Sequence, residues 1–299
     1  MREQELLKHI YATVPAAGRV TIGPGDDMAL LSLDGRELLA AVDQLVDGVH
    51  VDLRRTPIEA AGRKAVARSV SDVAAMAARP RAILVTTLLP GDFDADRTRR
   101  LFDAVRKAAA EFDAPLIGGD IAIHRTTGPL VCTVTVLAEP GPAGVIERRG
   151  ARVDDRVYVT GCLGSSFDDD GGGHHLTFTP RVETALTLAE TLGSRLHAMI
   201  DLSDGLGRDL GHIATASGVR IVLDAESIPL RRGVDHRRVF VDGEDYELGF
   251  VATGPVPDDV EGVPVTAVGH VESQGEGSVF VKDGQGRHAV DELGWEHGR

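Results

Sequence analysis

Residues 56–90 read TPIEAAGRKAVARSVSDVAAMAARPRAILVTTLLP, and their pattern decides the fold class. Thr56 is placed to cap a helix, Pro57 suits the first helical position and Glu59 completes a capping box. The spacing predicts a helix running toward Pro80, which should stop it, followed by a buried strand in AILVTTLLP. Upstream, LLSLDGRELLAAVDQLV (30–46) predicts two strands joined at Asp34-Gly35, a hairpin signal. Downstream, 94–112 predicts an amphipathic helix with Leu101, Val105 and Ala108 on one face. PLIGGD (115–120) reads as a Gly-rich turn and PLVCTVTVLAE (129–139) as a further strand, while residues 1–22 read as a short helix and a linker.

PGPAG (140–144) is the best linker candidate. Beyond it, DRVYVTG reads as a strand, DDDGGGHH (168–175) as a flexible loop, and Thr179-Pro180 as a helix start. AMIDLSDGL (198–206) reads as a strand running into a turn. A helix follows with Leu206, Leu210, Ile213 and Ala214 on one face, ending at Gly218. The tail alternates strands and turns as far as Trp295. Strands and helices mixed in two halves predict an α/β (α+β) protein of two domains, 1–139 and 145–299.

The 299 residues carry 32 Lys and Arg against 46 Asp and Glu, a net charge of −14, and 42% are hydrophobic. Such a chain can bury a core without disulfides. It lacks the basic face that nucleic acid or an anionic membrane would require. No stretch approaches the roughly 20 apolar residues of a membrane span, and the opening MREQELLKHI has no apolar run of a signal peptide. Cys132 and Cys162 lack CxxC spacing, and Cys132 reads as a small buried hydrophobe. A reducing cytoplasm is expected.

Aspartates recur beside glycines or strand ends: Asp26-Asp27, Asp43, Asp72, Asp120, Asp201 and Asp204, with Glu244-Asp245. Asp43 ends an apolar strand and Asp72 lies among Val70, Val73, Ala74 and Met76. A charge there is costly unless it is paired or bound to a metal. Convergent carboxylates suit a hard cation such as Mg²⁺, which takes oxygen ligands at about 2.0–2.1 Å. Adjacent glycines let backbone approach phosphate, and the helix after Asp204 offers amide N–H groups. Taken singly, each has a plainer reading. Asp204 fits an N-cap, Asp72 fits a pair with Arg68 one turn earlier, and His174-His175 fits a solvated loop better than a metal site. GxxxxGK[ST], HRD and DFG are all absent, which excludes P-loop and protein-kinase sites.

GPGDDMALL, VDQLVDGVHV, KAVARSVSDVAAMAARP, LIGGD, RRGARVDDRVYVTGCLGSS, TPR, MIDLSDGLGRDLGHIATASGV, GEDYEL and GWEH follow one another along nearly the whole chain. In this order they resemble the thiamine-monophosphate kinases, of the aminoimidazole-ribonucleotide-synthetase-like superfamily of ATP-using proteins. The resemblance implies a two-domain fold of that kind, with an N-terminal mixed sheet that dimerises and a C-terminal α+β domain. It implies a homodimer that moves the γ-phosphoryl of ATP onto thiamine monophosphate. By residue matching, Asp27, Asp43, Asp72, Asp120 and Asp201 would hold Mg²⁺ ions, with Asp204 on a further ion. Gly119, Asp120, Arg148 and Ser203 would contact ATP, and His50, Glu244 and Trp295 would lie on the thiamine-phosphate side. No residue is expected to act as a general base, because the acceptor phosphate has its second pKa near 6 and is already mostly ionised at neutral pH.

The chain departs from the family pattern in places. Ala41 and Val42 stand where a Ser or Thr usually precedes Asp43, Ser69-Val70-Ser71-Asp72 replaces Asn-Leu-Ser-Asp, and Ile121 follows Gly118-Gly119-Asp120 in place of Thr. Phe167 and DDDGGGHH follow GCLGSS in place of a run of small residues. A superfamily enzyme acting on another acceptor and a non-catalytic ATP- and Mg²⁺-binding relative are the alternative readings.

Overall fold

A computed structural model describes residues 18–273 and 278–296, together with position 7. The helix and linker expected over 1–22 fall mostly outside these residues.

The first half is a six-stranded sheet in the order β1-β2-β3-β6-β4-β5. Its strands are β1 (Val20–Ile22), β2 (Ala29–Leu33), β3 (Arg36–Val46), β4 (Ala78–Leu89), β5 (Leu116–Ile123) and β6 (Val131–Pro140). The β2–β3 hairpin turns at Asp34 (φ 51°) and Gly35 (φ 88°), the two left-handed residues that a tight hairpin of matching twist requires. Helices α1 (Ile58–Ala75) and α2 (Ala95–Glu111) cover one face. Asp94 caps α2 by accepting from the Arg97 amide at 2.6 Å, and Leu101, Val105 and Ala108 are buried as the helical spacing predicts. Cys132 is buried, and burial pushes its thiol up to about 12. The second half is an eight-stranded sheet ordered β14-β13-β9-β12-β7-β10-β8, with β11 paired to β12. It comprises β7 (Arg156–Thr160), β8 (Leu196–Asp201), β9 (Val219–Asp224), β10 (Leu248–Ala252), β11 (Asp259–Val260), β12 (Val263–Ser273), β13 (Val279–Asp283) and β14 (Gly286–Ala289). Its helices are α3 (His174–Thr177), α4 (Val182–Leu192), α5 (Leu206–Ser217) and α6 (His236–Val241). Gly218 ends α5 in the left-handed conformation, φ 65°.

Helix α1 joins the halves. Val66, Val70 and Val73 pack into the first core. Ala74 joins Tyr158, Leu188, Met199 and Phe250 in a core of the second half. Small residues on that side let the second half come close.

Four local expectations are corrected. Helix α1 stops at Ala75, well before Pro80, because Ala77 turns left-handed (φ 49°) and β4 begins at Ala78. The Met76 and Ala77 carbonyls accept from Ile146 and Gly141, so the linker region terminates the helix. Pro80 sits in β4 at a register irregularity, where its missing amide is tolerated. Thr56 caps nothing. Its amide donates to Asp52 O at 2.7 Å in the preceding turn, and its buried Oγ1 has no hydrogen-bond partner. LIGGD forms strand β5, paired in parallel with β4. Gly119 passes so near Val85 O that a Cβ would lie 1.8 Å from it. Residues 168–175 are a structured turn leading into α3, with His175 buried.

The face of the six-stranded sheet away from α1 and α2 stays open. Val42 is 62% exposed there, and Ile117, Ile121 and Ile123 are 54–64% exposed along edge strand β5, Ile121 and Ile123 on the helix side beside the start of α2. Among the described residues no helix is long and apolar enough to cross a membrane.

Candidate active site

A cavity of about 630 Å³ lies where α1, the end of β3 and the turns of the second half meet. Asp43 enters it from β3, Asp72 from α1, and Asp201, Ser203 and Asp204 from the β8–α5 turn. His50, Glu244 and Trp295 complete its wall. Eight of the residues singled out in the sequence thus share one cavity.

Backbone pairing explains the convergence. Glu244 N donates to Ser203 O at 2.6 Å, Tyr246 N to Leu202 O at 2.8 Å, and Leu202 N to Glu247 O at 2.7 Å, which ties GEDYEL to DLSDG. The tie sets Glu244 (φ 55°) and Tyr246 (φ 50°) in the left-handed region, a strain that this surrounding structure holds in place. Asp245 faces away and organises TGCLGSS, accepting from Gly164 N at 3.0 Å, from Ser166 Oγ at 2.8 Å and from the Arg231 guanidinium. Glu247 is forked to Arg181 of TPR at 2.5 and 2.7 Å. Trp295 reaches the cavity because its amide donates to Asp204 O at 2.9 Å, and Gly294 (φ 105°) passes where a Cβ would lie 2.5 Å from that oxygen.

Asp27, Asp72 and Asp201 each offer a carboxylate oxygen, and these atoms lie within 4.8 Å of one another. Buried Met28 turns GPGDD onto the end of α1, its amide 3.2 Å from Met76 Sδ, and this aims Asp27. Arg148 clasps Asp27 with Nη2 at 2.7 Å and Nε at 3.0 Å, and its amide donates to Asp26 at 3.1 Å. Ser71 Oγ donates to Asp201 at 2.6 Å. Burial, reinforced by Asp43, Asp201 and Asp27, raises the Asp72 carboxyl well above the usual range. Burial and then Asp27 push Asp201 up to about 7, and burial with Asp27 pushes Asp26 up to about 6. An all-oxygen donor set whose carboxyls resist ionising together fits a hard divalent cation, which would supply the missing positive charge.

Asp43 pairs with Arg68 (3.4 Å), whose Nη1 also donates to Gln44 O at 2.8 Å. The expected Asp72–Arg68 ion pair therefore gives way to Asp43–Arg68. The expected N-cap role of Asp204 is corrected as well: Gly205 occupies the cap position, and Asp209 reaches back to accept from the Asp204 and Gly205 amides, both at 3.0 Å. Those two N–H groups, expected to face phosphate, are already engaged. Among the described residues neither His174 nor His175 joins a candidate metal group, and His175 is buried rather than solvated. His174 Nε2 bonds Asp245 O at 3.0 Å, while His175 accepts from Lys64 and donates to Gly172 O at 3.0 Å.

Gly119 and Asp120 stand apart. Asp43 pairs with Val134, Val134 with Val85, and Val85 with Gly119, so Gly119 lies three strands away in one cross-strand row. At the usual strand spacing this is about 14 Å. Asp120 pairs with exposed Thr86 on the open face.

Lys64 escaped the sequence reading. It is 0% exposed, and its ammonium donates to His50 O (2.7 Å), His175 Nδ1 (2.8 Å) and the Glu244 carboxylate. The Val46 amide donates to His50 Nδ1 at 2.9 Å, which leaves the ring proton on Nε2. Burial works against the Glu244 charge, but the Lys64 ammonium and the Arg68 guanidinium outweigh it and hold the carboxyl at about 2. Lys64 stands eight residues before Asp72 on the same helix, and that spacing does not tell a buried lysine from an exposed one.

The chain matches the family model for AIR synthase related protein, N-terminal domain, over residues 25–139. It is 32% identical over 293 residues to the thiamine-monophosphate kinase of Rhodopirellula baltica, an alignment covering 90% of this chain and 89% of that one. The chain belongs to the thiamine-monophosphate kinase family. Its backbone is similar to a solved structure described as AaThiL complexed with AMPPCP and TMP, with a TM-score of 0.82 and 29% identity over 99% of this chain and 97% of that one. Hydrogenase maturation protein HypE shares the fold alone, with a TM-score of 0.72 at 20% identity over 97% of this chain and 95% of that one.

Proposed function

We propose that this kinase-family protein transfers the γ-phosphoryl group of ATP to thiamine monophosphate, giving thiamine diphosphate and ADP. The observation that carries the reading is the meeting of Asp43, Asp72, Asp201 and Asp204 with His50, Glu244 and Trp295 on one cavity. The acceptor phosphate, with a second pKa near 6, arrives ionised and needs no general base. The task is to bring two anions together. Like unit charges about 4 Å apart repel by roughly 4 kcal/mol at an effective dielectric near 20. Arg148 and Arg68 are the chain's own cations at the site, and Asp27, Asp43, Asp72 and Asp201 would hold Mg²⁺, with Asp204 on a further ion. Bound there, Mg²⁺ supplies charge neutralisation and alignment of phosphate oxygens. Ser203, on the same cavity, and Arg148 would contact ATP, and Gly119 and Asp120 would supply further contacts from β5, three strands away. Trp295, half-exposed on the cavity, offers a stacking face to the cationic thiazolium.

The open sheet face, carrying exposed Val42 and Thr86, supports a homodimer built sheet to sheet through the N-terminal domain, 1–139, with 145–299 completing each site. Cys132 and Cys162 are free thiols, which suits a reducing cytoplasm.

The test is incubation with ATP, MgCl₂ and thiamine monophosphate, with thiamine diphosphate read by chromatography. Product is expected from the parent and a loss of at least a hundredfold from Asp72→Asn at unchanged circular dichroism. No product from folded, ATP-binding protein would overturn the reading, as would equal ATP turnover without thiamine monophosphate.

A further inference from the structure

Phe167 lines the cavity, yet it stands where the chain leaves its family pattern and no expected site residue falls on it. Its ring is 39% exposed. The base beneath it is rigid. Ser166 is fully buried and bonded to Asp245, and the His175 amide donates back to Ser166 O at 3.0 Å, closing the turn under the ring. The His175 ring packs against Phe167 with centroids 4.4 Å apart and planes tilted by 32°. The Lys64 ammonium lies 5.7 Å from the Phe167 centroid, and its charge is matched by Glu244. A phenyl group pinned this firmly and still left two-fifths exposed offers a preformed apolar face at little entropic cost.

The same cavity carries a second exposed aromatic, Trp295, at 47%, and the ionised Glu244 carboxylate. Two aromatic faces, with the Lys64 charge beneath Phe167 already met by Glu244, are the chemistry that recognises a flat, positively charged heterocycle. We propose that Phe167 is a second stacking wall for the cationic heterocycle of the acceptor, acting with Trp295, and that it sets specificity for that part of the substrate. The proposal rests on thiamine monophosphate being the acceptor.

The only tryptophan of the chain lies in this cavity, so its fluorescence reports binding directly. Thiamine monophosphate, thiamine and a non-hydrolysable ATP analogue are titrated separately into the parent, Phe167→Leu and Phe167→Tyr. Leucine keeps bulk but removes the ring, whereas tyrosine keeps the ring. Phe167→Leu should weaken thiamine monophosphate and thiamine alike by about three- to thirtyfold, with Phe167→Tyr within about twofold of the parent. The affinity of all three proteins for the ATP analogue should agree within twofold. Equal thiamine affinity in Phe167→Leu would overturn the proposal, as would an equal loss for the ATP analogue, which would mark a general disturbance of the cavity. A parent protein that binds the ATP analogue but neither thiamine compound would overturn the acceptor reading itself, and the proposal with it.

Discussion

Lys64→Met replaces a fully buried ammonium with an apolar chain of similar length. Three hydrogen bonds are lost, and Glu244, whose side chain is 13% exposed, is left without its nearest cation. Breaking one side of a buried ion pair typically costs about 3–5 kcal/mol. The carboxyl itself points to the same size: held at about 2 in place of 4.5, it is worth about 3 kcal/mol to the folded state. With an unfolding entropy of about 2.1 cal/mol/K per residue, a loss of that size lowers the melting temperature by about 5–8 °C. The pH dependence has a definite sign. Glu244 is depressed on folding, so its contribution is complete above about 4.5 and is lost as the pH falls toward 2. Burial lowers Lys64 to about 8 against the pull of Glu244, so the penalty for burying its charge is relieved as pH rises from about 8 to 10.5. Thermal melts by circular dichroism between pH 3 and 10 read both windows. The parent should lose more stability than Lys64→Met below pH 4.5, and the gain above pH 8 should be absent from the variant. Lys64→Met/Glu244→Gln should recover most of the loss, because the stranded charge is then gone. A single variant melting within 1 °C of the parent at pH 7 would refute the reasoning, as would a double variant no more stable than the single.

Three further outcomes follow from the same coordinates. Asp201 is raised from 3.8 to about 7, so its contribution is present below about pH 4 and is lost as pH rises through 7. The rise in melting temperature on adding Mg²⁺ should therefore be larger at pH 8 than at pH 5.5, and a pH-independent increment in calorimetry would contradict the cation site. Val42→Arg/Thr86→Arg puts two charges on the open sheet face and should turn a dimer into a monomer in analytical ultracentrifugation. A parent that is monomeric at tens of micromolar would contradict the sheet-to-sheet assembly. Gly207→Ala, ordinarily stabilising within a helix by roughly 1 kcal/mol, should instead destabilise by about 1–3 kcal/mol in urea denaturation. Its Cβ would lie 2.3 Å from Val290 O, and an unchanged midpoint would show that α5 can shift.

Much of the fold was legible because it is written locally. The Asp34-Gly35 turn, the apolar face of α2 and the Gly218 end of α5 each depend on a few neighbouring residues, and all form as the pattern predicts. The misreadings have other causes. Thr56 is a good cap in isolation, but Pro57 holds the cap position and the Thr56 hydroxyl is left without a partner. Asp204 is a good N-cap, but Gly205 holds the cap position and Asp209, one turn into the helix, accepts from the amides there. LIGGD is glycine-rich, but pairing with β4 makes it a strand. The first two turn on a competitor within one turn, the last on a partner far along the chain.

The chain by itself determined the order of strands and helices, the carboxylates that a hard cation would want, and the run of motifs that carries the family. Only the tertiary structure decided which charges meet. Asp27, Asp72 and Asp201 converge because GPGDD folds onto the end of α1 and α1 lies between the two halves. Arg148 belongs to Asp27 and Arg68 to Asp43, although Asp72 is the nearer neighbour of Arg68 in sequence. Lys64 is buried because His50, His175 and Glu244 reach it from separations of 14, 111 and 180 residues. Periodicity reports which face of an element is apolar. The cost of burying a charge depends on what lies opposite it, and that is settled only when distant segments pack.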